Sequence, residues 1–219
     1  MNKHPIIKDL KLGAVATLYS DSNLQLYVES LGIPFFVEPT GVNNMFLKTK
    51  TLDLAFQVEF NGHACFFVSD KAKEVLLQSK ETSELFSDLF SLNCSNGDFF
   101  SVFLLIQYFM RLTSMSFEQI DGLFVDKHTC LIQLKVSNKF AVVMDERTGV
   151  HHEPPDLGLF LENLMSKYKD DRLKIFIRKS GTEDIVRVMF ESNTVEVIET
   201  TRPLVENFVM NHPEINRKI

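Results

Sequence analysis

At 219 residues, 45% of them hydrophobic, the chain is long enough for one large or two modest domains with real cores. Its net charge of −6 argues against a nucleic-acid partner, which calls for a basic surface, so any anionic ligand must be drawn by locally clustered cations. Three widely spaced cysteines, Cys65, Cys94 and Cys130, with no Cys-x-x-Cys pair, speak against a disulfide framework or zinc site and for a reducing interior.

Met1 to Pro5 leads into mixed polar and apolar residues, which gives no signal peptide. Lys11 to Tyr19 alternates as a strand does. Asp21 or Ser22 is placed to cap a helix with Leu24, Tyr27, Val28 and Leu31 on one face, closed by Gly32. Ile33 to Val37 reads as a second strand before the turn Pro39-Thr-Gly41, and residues 42–50 allow a short helix. Leu54 to Phe60 and Ala64 to Val68 form a hairpin around Asn61-Gly62, a strong short-range signal. Ser69-Asp70 starts a helix, and Asp98 opens an apolar one over 99–112. The run Phe99 to Met110, broken by Ser101 and Gln107, is too short to span a bilayer and reads as a buried helix. Ser116-Phe-Glu-Gln119 fits a capping box.

The pattern changes near residue 127. Strands are expected over Leu131–Val136 and Phe140–Met144, then an exposed loop holding His151-His152-Glu153 and Pro154-Pro155. A helix from Asp156 to about Tyr168 follows, with Leu159, Phe160 and Leu164 on its apolar face. Two strands, Leu173–Ile177 and Ile185–Phe190, and a C-terminal helix kinked or restarted at Pro203 complete the chain. The order β-β-α-β-β-α after a mixed half predicts an α/β protein of two mixed α/β domains, 1–126 and 127–219, with the boundary around 125–130. The adjacent histidines 151 and 152 are poorly spaced for a metal and are set aside.

Two loops carry chemistry. In Phe176-Ile-Arg-Lys-Ser-Gly-Thr-Glu-Asp-Ile-Val-Arg187, the turn Lys179–Glu183 joins two strands. Arg178 offers a planar fork of donors, Ser180 and Thr182 offer hydroxyls, Gly181 admits close approach of backbone N–H groups, and Arg187 lies down the outgoing strand. That set suits a phosphate, although spacing alone leaves an ordinary polar hairpin open. In Val58-Glu-Phe-Asn-Gly-His-Ala64, Glu59 and Asn61 sit two apart at a strand end, where a carboxylate and an amide can take vicinal sugar hydroxyls. From spacing alone, a hairpin turn with Glu59 solvated and His63 a bystander is favoured.

The first loop resembles the Arg-Pro-Ser-Gly-Thr-Glu phosphate loop of the α-D-phosphohexomutases, and its Thr-Glu-Asp form followed by Val-Arg-Val is most similar to the phosphoacetylglucosamine mutase branch. The second resembles that branch's Phe-Glu-Ala-Asn-Gly-His-Gly sugar loop, with Phe60 and Ala64 as the departures. Thr40-Gly-Val42 resembles its Thr-Gly-Val-Lys-His turn, with Asn43 and Asn44 in place of Lys-His. Asn93 with Gly97-Asp98 resembles its Asn-x-x-x-Gly-Asp helix entry, and Lys179 stands where Pro is usual.

The resemblance implies a C-terminal half, third and fourth domains only, of a cytoplasmic enzyme of amino-sugar nucleotide biosynthesis. Such an enzyme moves a phosphoryl group between the 6- and 1-oxygens of N-acetylglucosamine. Glu59, Asn61 and His63 would then take the sugar, facing Arg178, Ser180, Gly181, Thr182 and Arg187 on the phosphate. It also implies Mg²⁺ and a phosphoserine, but no Thr-Ala-Ser-His-Asn loop and no Asp-x-Asp spacing occurs in these 219 residues. This chain alone is therefore expected to be inactive, its partners being the phosphorylated amino sugar and an N-terminal half. A non-catalytic sugar-phosphate binding or interaction protein that retains the fold stays open.

Overall fold

A computed structural model describes residues 7–78, 83 and 99–216. The expected helix start at Asp98 and the Asn93, Gly97-Asp98 likeness lie outside these residues. The chain divides into two compact units, Met1–Val125 and Asp126–Ile219.

In the first unit a four-stranded sheet has the order β2-β1-β3-β4, from β1 (Leu12–Ala16), β2 (Phe35–Val37), β3 (Leu54–Val58) and β4 (Ala64–Val68). β1 runs parallel to β2 and β3, and β4 pairs antiparallel with β3. Strand alternation sends neighbouring residues to opposite faces. Leu54 and Val68 meet Ala72 and Leu76 of α3 (Asp70–Leu77), while Val15 and Ala55 meet Met45 of α2 (Val42–Thr49). Asp21 caps α1 (Ser22–Ser30) by accepting from the Asn23 N–H at 2.6 Å. Ser69 caps α3 through Ala72 N–H. Gly32, at φ 73, takes the left-handed turn that ends α1. Asp53 ties the sheet to α3: its Oδ2 accepts from Lys11 N–H at 2.8 Å and Lys71 Nζ at 3.0 Å.

The Phe-rich helix α4 (Phe99–Thr113) is not buried as expected. Phe100 is 76% exposed, and Phe103, Leu104, Ile106, Phe109 and Leu112 are all exposed. Its apolar side chains run around the whole circumference, so one packing face cannot bury them. Ser116 and Gln119 form the reciprocal capping box of α5 (Phe117–Asp121).

In the second unit β5 (His128–Lys135), β9 (Ile185–Ser192) and β8 (Lys174–Lys179) form an antiparallel sheet in that order. Ile175, Ile177, Val186, Val188 and Phe190 face α6 (Pro155–Lys167) and α7 (Val195–Asn211) across one core. α6 buries Leu157, Leu161 and Leu164, not the expected Leu159, which is 60% exposed. The helix starts at Pro155, one residue early, and its 3.6-residue period puts 157, 161 and 164 on one stripe. Each such leucine is worth about 1.5–3 kcal/mol in burial. Phe160 stacks on Phe208 of α7 at 4.4 Å. α7 runs on through Pro203 without restarting, because Val205 and Val209 beyond the proline are fully buried.

The strand expected over Phe140–Met144 shortens to β6 (Val143–Met144), since Lys139–Ala141 form a 3-10 turn, and it makes a hairpin with β7 (His151–Glu153), which lies where an exposed loop was expected and adds a strand to the β-β-α-β-β-α order. The stretch is a strand because its first residue has a structural partner. His151 Nε2 lies 3.0 Å from both N–H and C=O of Ile177 in β8, so the neutral ring accepts from one or donates to the other. The hairpin thereby caps the outer edge of β8, which β9 does not cover.

Candidate functional site

The cross-strand register makes the site. Arg178 of β8 and Arg187 of β9 are direct partners, so their side chains leave the same face of the sheet, opposite the core. Directly opposed like charges destabilise a sheet unless an anion meets them. Both guanidinium Nε atoms are buried and neither N–H has a hydrogen-bond acceptor among the described residues. Glu146 Oε2 does lie 3.0 Å from Arg178 Nε, but the N–H does not point at it, so the contact is one of charge and leaves the donor unspent. Arg187 Nη2 is 3.9 Å from Glu183 Oε2, a longer pair with its carboxylate well exposed.

The turn beyond Arg178 is tightly specified. Ser180 is buried, donates its N–H to Ile185 C=O at 3.0 Å, and accepts Glu183 N–H on its Oγ at 3.3 Å. Its hydroxyl proton remains to be donated, since that bond uses only a lone pair. Gly181 and Thr182 are exposed, and a Cβ at 181 would meet nothing within 4 Å, so open space lies beside the loop backbone. Lys139, in the 3-10 turn Lys139–Ala141, is buried beneath the loop; its Nζ donates to Glu183 C=O at 2.8 Å and sits 3.6 Å from Asp184. Lys179 is exposed and lies over the Phe140 ring at 5.5 Å.

Sequence reasoning missed Lys139, Glu146 and His151. The first two contact the loop across more than thirty residues, a separation no local pattern reveals. Asp145 sets up Glu146: its Oδ1 accepts Arg147 N–H at 2.8 Å, which holds its carboxyl below the usual range and fixes the hairpin tip. A cavity of about 160 Å³ opens between the two elements, lined by Val142, Val143, Met144, Glu146, Ile177, Arg178 and Lys179. Burial pushes the His151 imidazole pKa down, partly offset by the Ile177 and Gly149 backbone.

In the first unit, Glu59 is half-buried at the corner of the β3–β4 turn; its N–H donates to His63 C=O at 2.8 Å and its C=O accepts from Gly62 at 3.0 Å. Gly62 takes φ 87. Asn61 and His63 are exposed, and Asn61 Oδ1 accepts His63 N–H at 3.0 Å. The amide oxygen of Asn61 thus serves the turn, leaving its NH₂ as the group suited to a ligand. Asn44, at a departure from the resembled motif, braces its own turn by donating to Thr40 C=O at 3.2 Å. Among the described residues no three His, Cys, Asp or Glu side chains come together to hold a metal ion, and no helix is long and apolar enough to cross a membrane.

Comparison with known proteins returns the same architecture. Residues 1–115 match the family model of phosphoacetylglucosamine mutase AMG1, domain III, and residues 131–207 match the phosphoglucomutase/phosphomannomutase C-terminal domain. The phosphoacetylglucosamine mutase of Sus scrofa is 28% identical over 199 residues, covering 86% of this chain and 36% of that protein. A crystal structure of N-acetylglucosamine-phosphate mutase, a member of the α-D-phosphohexomutase superfamily, in its product complex, superposes with a TM-score of 0.87 at 25% identity, over 94% of this chain and 40% of that one. Aspergillus fumigatus N-acetylphosphoglucosamine mutase in complex with GlcNAc-6P and magnesium shares the fold, with a TM-score of 0.85 at 24% identity, over 91% and 39%. The chain spans little more than a third of the Sus scrofa protein's length.

Proposed function

This chain belongs to the phosphoacetylglucosamine mutase family, and on that premise we propose that it supplies sugar and phosphate binding to the interconversion of N-acetylglucosamine 6-phosphate and 1-phosphate. The observation that carries the proposal is the cross-strand pair Arg178–Arg187 with two buried, unspent Nε–H donors beside an open turn.

Two adjacent guanidiniums neutralise a dianion, and charge-assisted bonds to phosphate oxygens are roughly twice as strong as neutral ones. Ser180 hydroxyl, Thr182 hydroxyl and the amides of Gly181 and Thr182 complete the cradle, and Lys139 braces the turn through the Glu183 carbonyl. These are binding groups for the phosphate that is not being transferred. Glu59 carboxylate, Asn61 amide and His63 take the sugar hydroxyls in the first unit. Magnesium, present with GlcNAc-6P in the A. fumigatus structure, supplies charge neutralisation on a transferring phosphoryl group when bound. Among the described residues no cluster of His, Cys, Asp or Glu side chains assembles a site for it.

The test is calorimetric titration of N-acetylglucosamine 6-phosphate into the chain and its Arg178→Ala variant. Truncating one partner of a desolvated charge pair costs on the order of 2–5 kcal/mol, so binding is expected to fall below detection. Equal affinity in the two would remove the phosphate assignment. A Glu59→Gln variant reports on the sugar loop, with weaker binding of the sugar phosphate and unchanged binding of inorganic phosphate expected.

A further inference from the structure

We propose that Glu146 is an internal competitor of phosphate, a carboxylate that occupies the charge of Arg178 and sets how tightly an anion is held and how readily it leaves. The inference rests on the phosphate reading of the Arg178–Arg187 pair and adds a residue that the reading did not contain.

Two arginines in direct cross-strand register carry two positive charges on one small face. Each has a carboxylate nearby: Glu146 Oε2 at 3.0 Å from Arg178 Nε, and Glu183 Oε2 at 3.9 Å from Arg187 Nη2. The four side chains sum to zero among themselves, and Lys179, which lines the same cavity as Glu146 and Arg178, adds one positive charge. An incoming anion must displace a carboxylate or share an arginine with one.

The two carboxylates are not equivalent. The Glu183 side chain is 60% exposed and lies beyond hydrogen-bond distance, so water screens it and it withdraws at little cost. The Glu146 side chain is 31% exposed, against an Arg178 side chain 20% exposed, and screening there is weaker. Glu146 is also anchored. The Asp145 turn fixes the hairpin tip that carries it, and His151 pins the same hairpin to the backbone of Ile177, the residue before Arg178. A carboxylate held at 3.0 Å without directing the Nε–H at itself neutralises the arginine while leaving its donor available. Glu146 therefore lowers the affinity of Arg178 for any anion and keeps the hold weak enough for exchange.

The experiment is titration of inorganic phosphate into the full chain and into Glu146→Gln, at low ionic strength, with Glu183→Gln as control. Glu146→Gln is expected to bind phosphate about twofold to fivefold tighter, the range set by the worth of a partly exposed ion pair. Formate, a monoanion, is expected to gain no more than phosphate does, because the repulsion removed scales with ligand charge. Glu183→Gln is expected to change phosphate binding less than twofold. Unchanged or weaker phosphate binding in Glu146→Gln, with the parent chain binding normally, overturns this inference and makes Glu146 a residue that merely positions Arg178. Glu146→Asp draws the carboxylate back by a methylene and is expected to tighten binding to a lesser degree, which keeps the test open if the glutamine variant folds poorly. A parent chain that binds no phosphate at all removes the phosphate reading itself, a result distinct from the first.

Discussion

At Gly181 the fold and the proposed ligand make different demands. Nothing lies within 4 Å of a Cβ built there, and its backbone is outside the left-handed region, so alanine fits the fold without strain. Gly-to-Ala at such a position stabilises by about 0.4–1 kcal/mol through the unfolded chain. A phosphate seated on the surrounding amides would meet that methyl group. Gly181→Ala is therefore expected to melt at the same or a slightly higher temperature while losing at least about tenfold in phosphate affinity, a fold-change equal to 1.4 kcal/mol. Equal affinity would move the anion off the amides and onto the arginines alone. Residues such as Arg178, Ser180 and Gly181 were legible in the sequence because a turn gathers them within four positions. Glu146 and Lys139 were not, since their roles come from contacts between distant segments. Asn61 was read as a ligand group, and half of its amide turns out to serve its own turn.

At the scale of elements, strands and caps followed the sequence closely because their signals are local: the Asn61-Gly62 hairpin, the Asp21 and Ser69 caps and the Ser116–Gln119 box all formed. β7 escaped because it is held by one half-buried histidine gripping the β8 backbone, which no periodicity encodes. That histidine has a measurable signature. Desolvation lowers its folded pKa below the unfolded value of about 6.5. Between the two values the unfolded chain binds more protons, so stability is complete above about pH 6.5 and declines as pH falls through the folded pKa. Urea unfolding of the chain at pH 7.5 and pH 5.5 is expected to show this loss, and His151→Gln is expected to be less stable at pH 7.5 but flatter between the two. A variant with the parent's full pH slope would place the titration on another group.

At the scale of the whole molecule, these 219 residues carry cationic and hydroxyl donors suited to gripping a sugar phosphate, and the grip is a ground-state interaction. Phosphoryl transfer asks for something else: an in-line nucleophile or phosphodonor and a charge that neutralises the equatorial oxygens as they develop in the transition state. In the proposed role, Arg178, Arg187 and Ser180 would hold a phosphate equally before, during and after such a step, and uniform binding of that kind lowers KM without raising kcat. The sequence contains no Asp-x-Asp spacing and no Thr-Ala-Ser-His-Asn loop from which a metal site and a phosphoserine would be built. Each missing electrostatic element is worth on the order of several kcal/mol, and two together take a rate to the background of an ordinary assay. The purified chain, supplied with magnesium and a hexose bisphosphate activator, is accordingly expected to bind N-acetylglucosamine 6-phosphate and to form no detectable 1-phosphate in a coupled assay. Magnesium-dependent turnover that copurifies with the chain and disappears in Arg178→Ala would show that it assembles a transfer site of its own, and would overturn the assignment of these residues to binding alone.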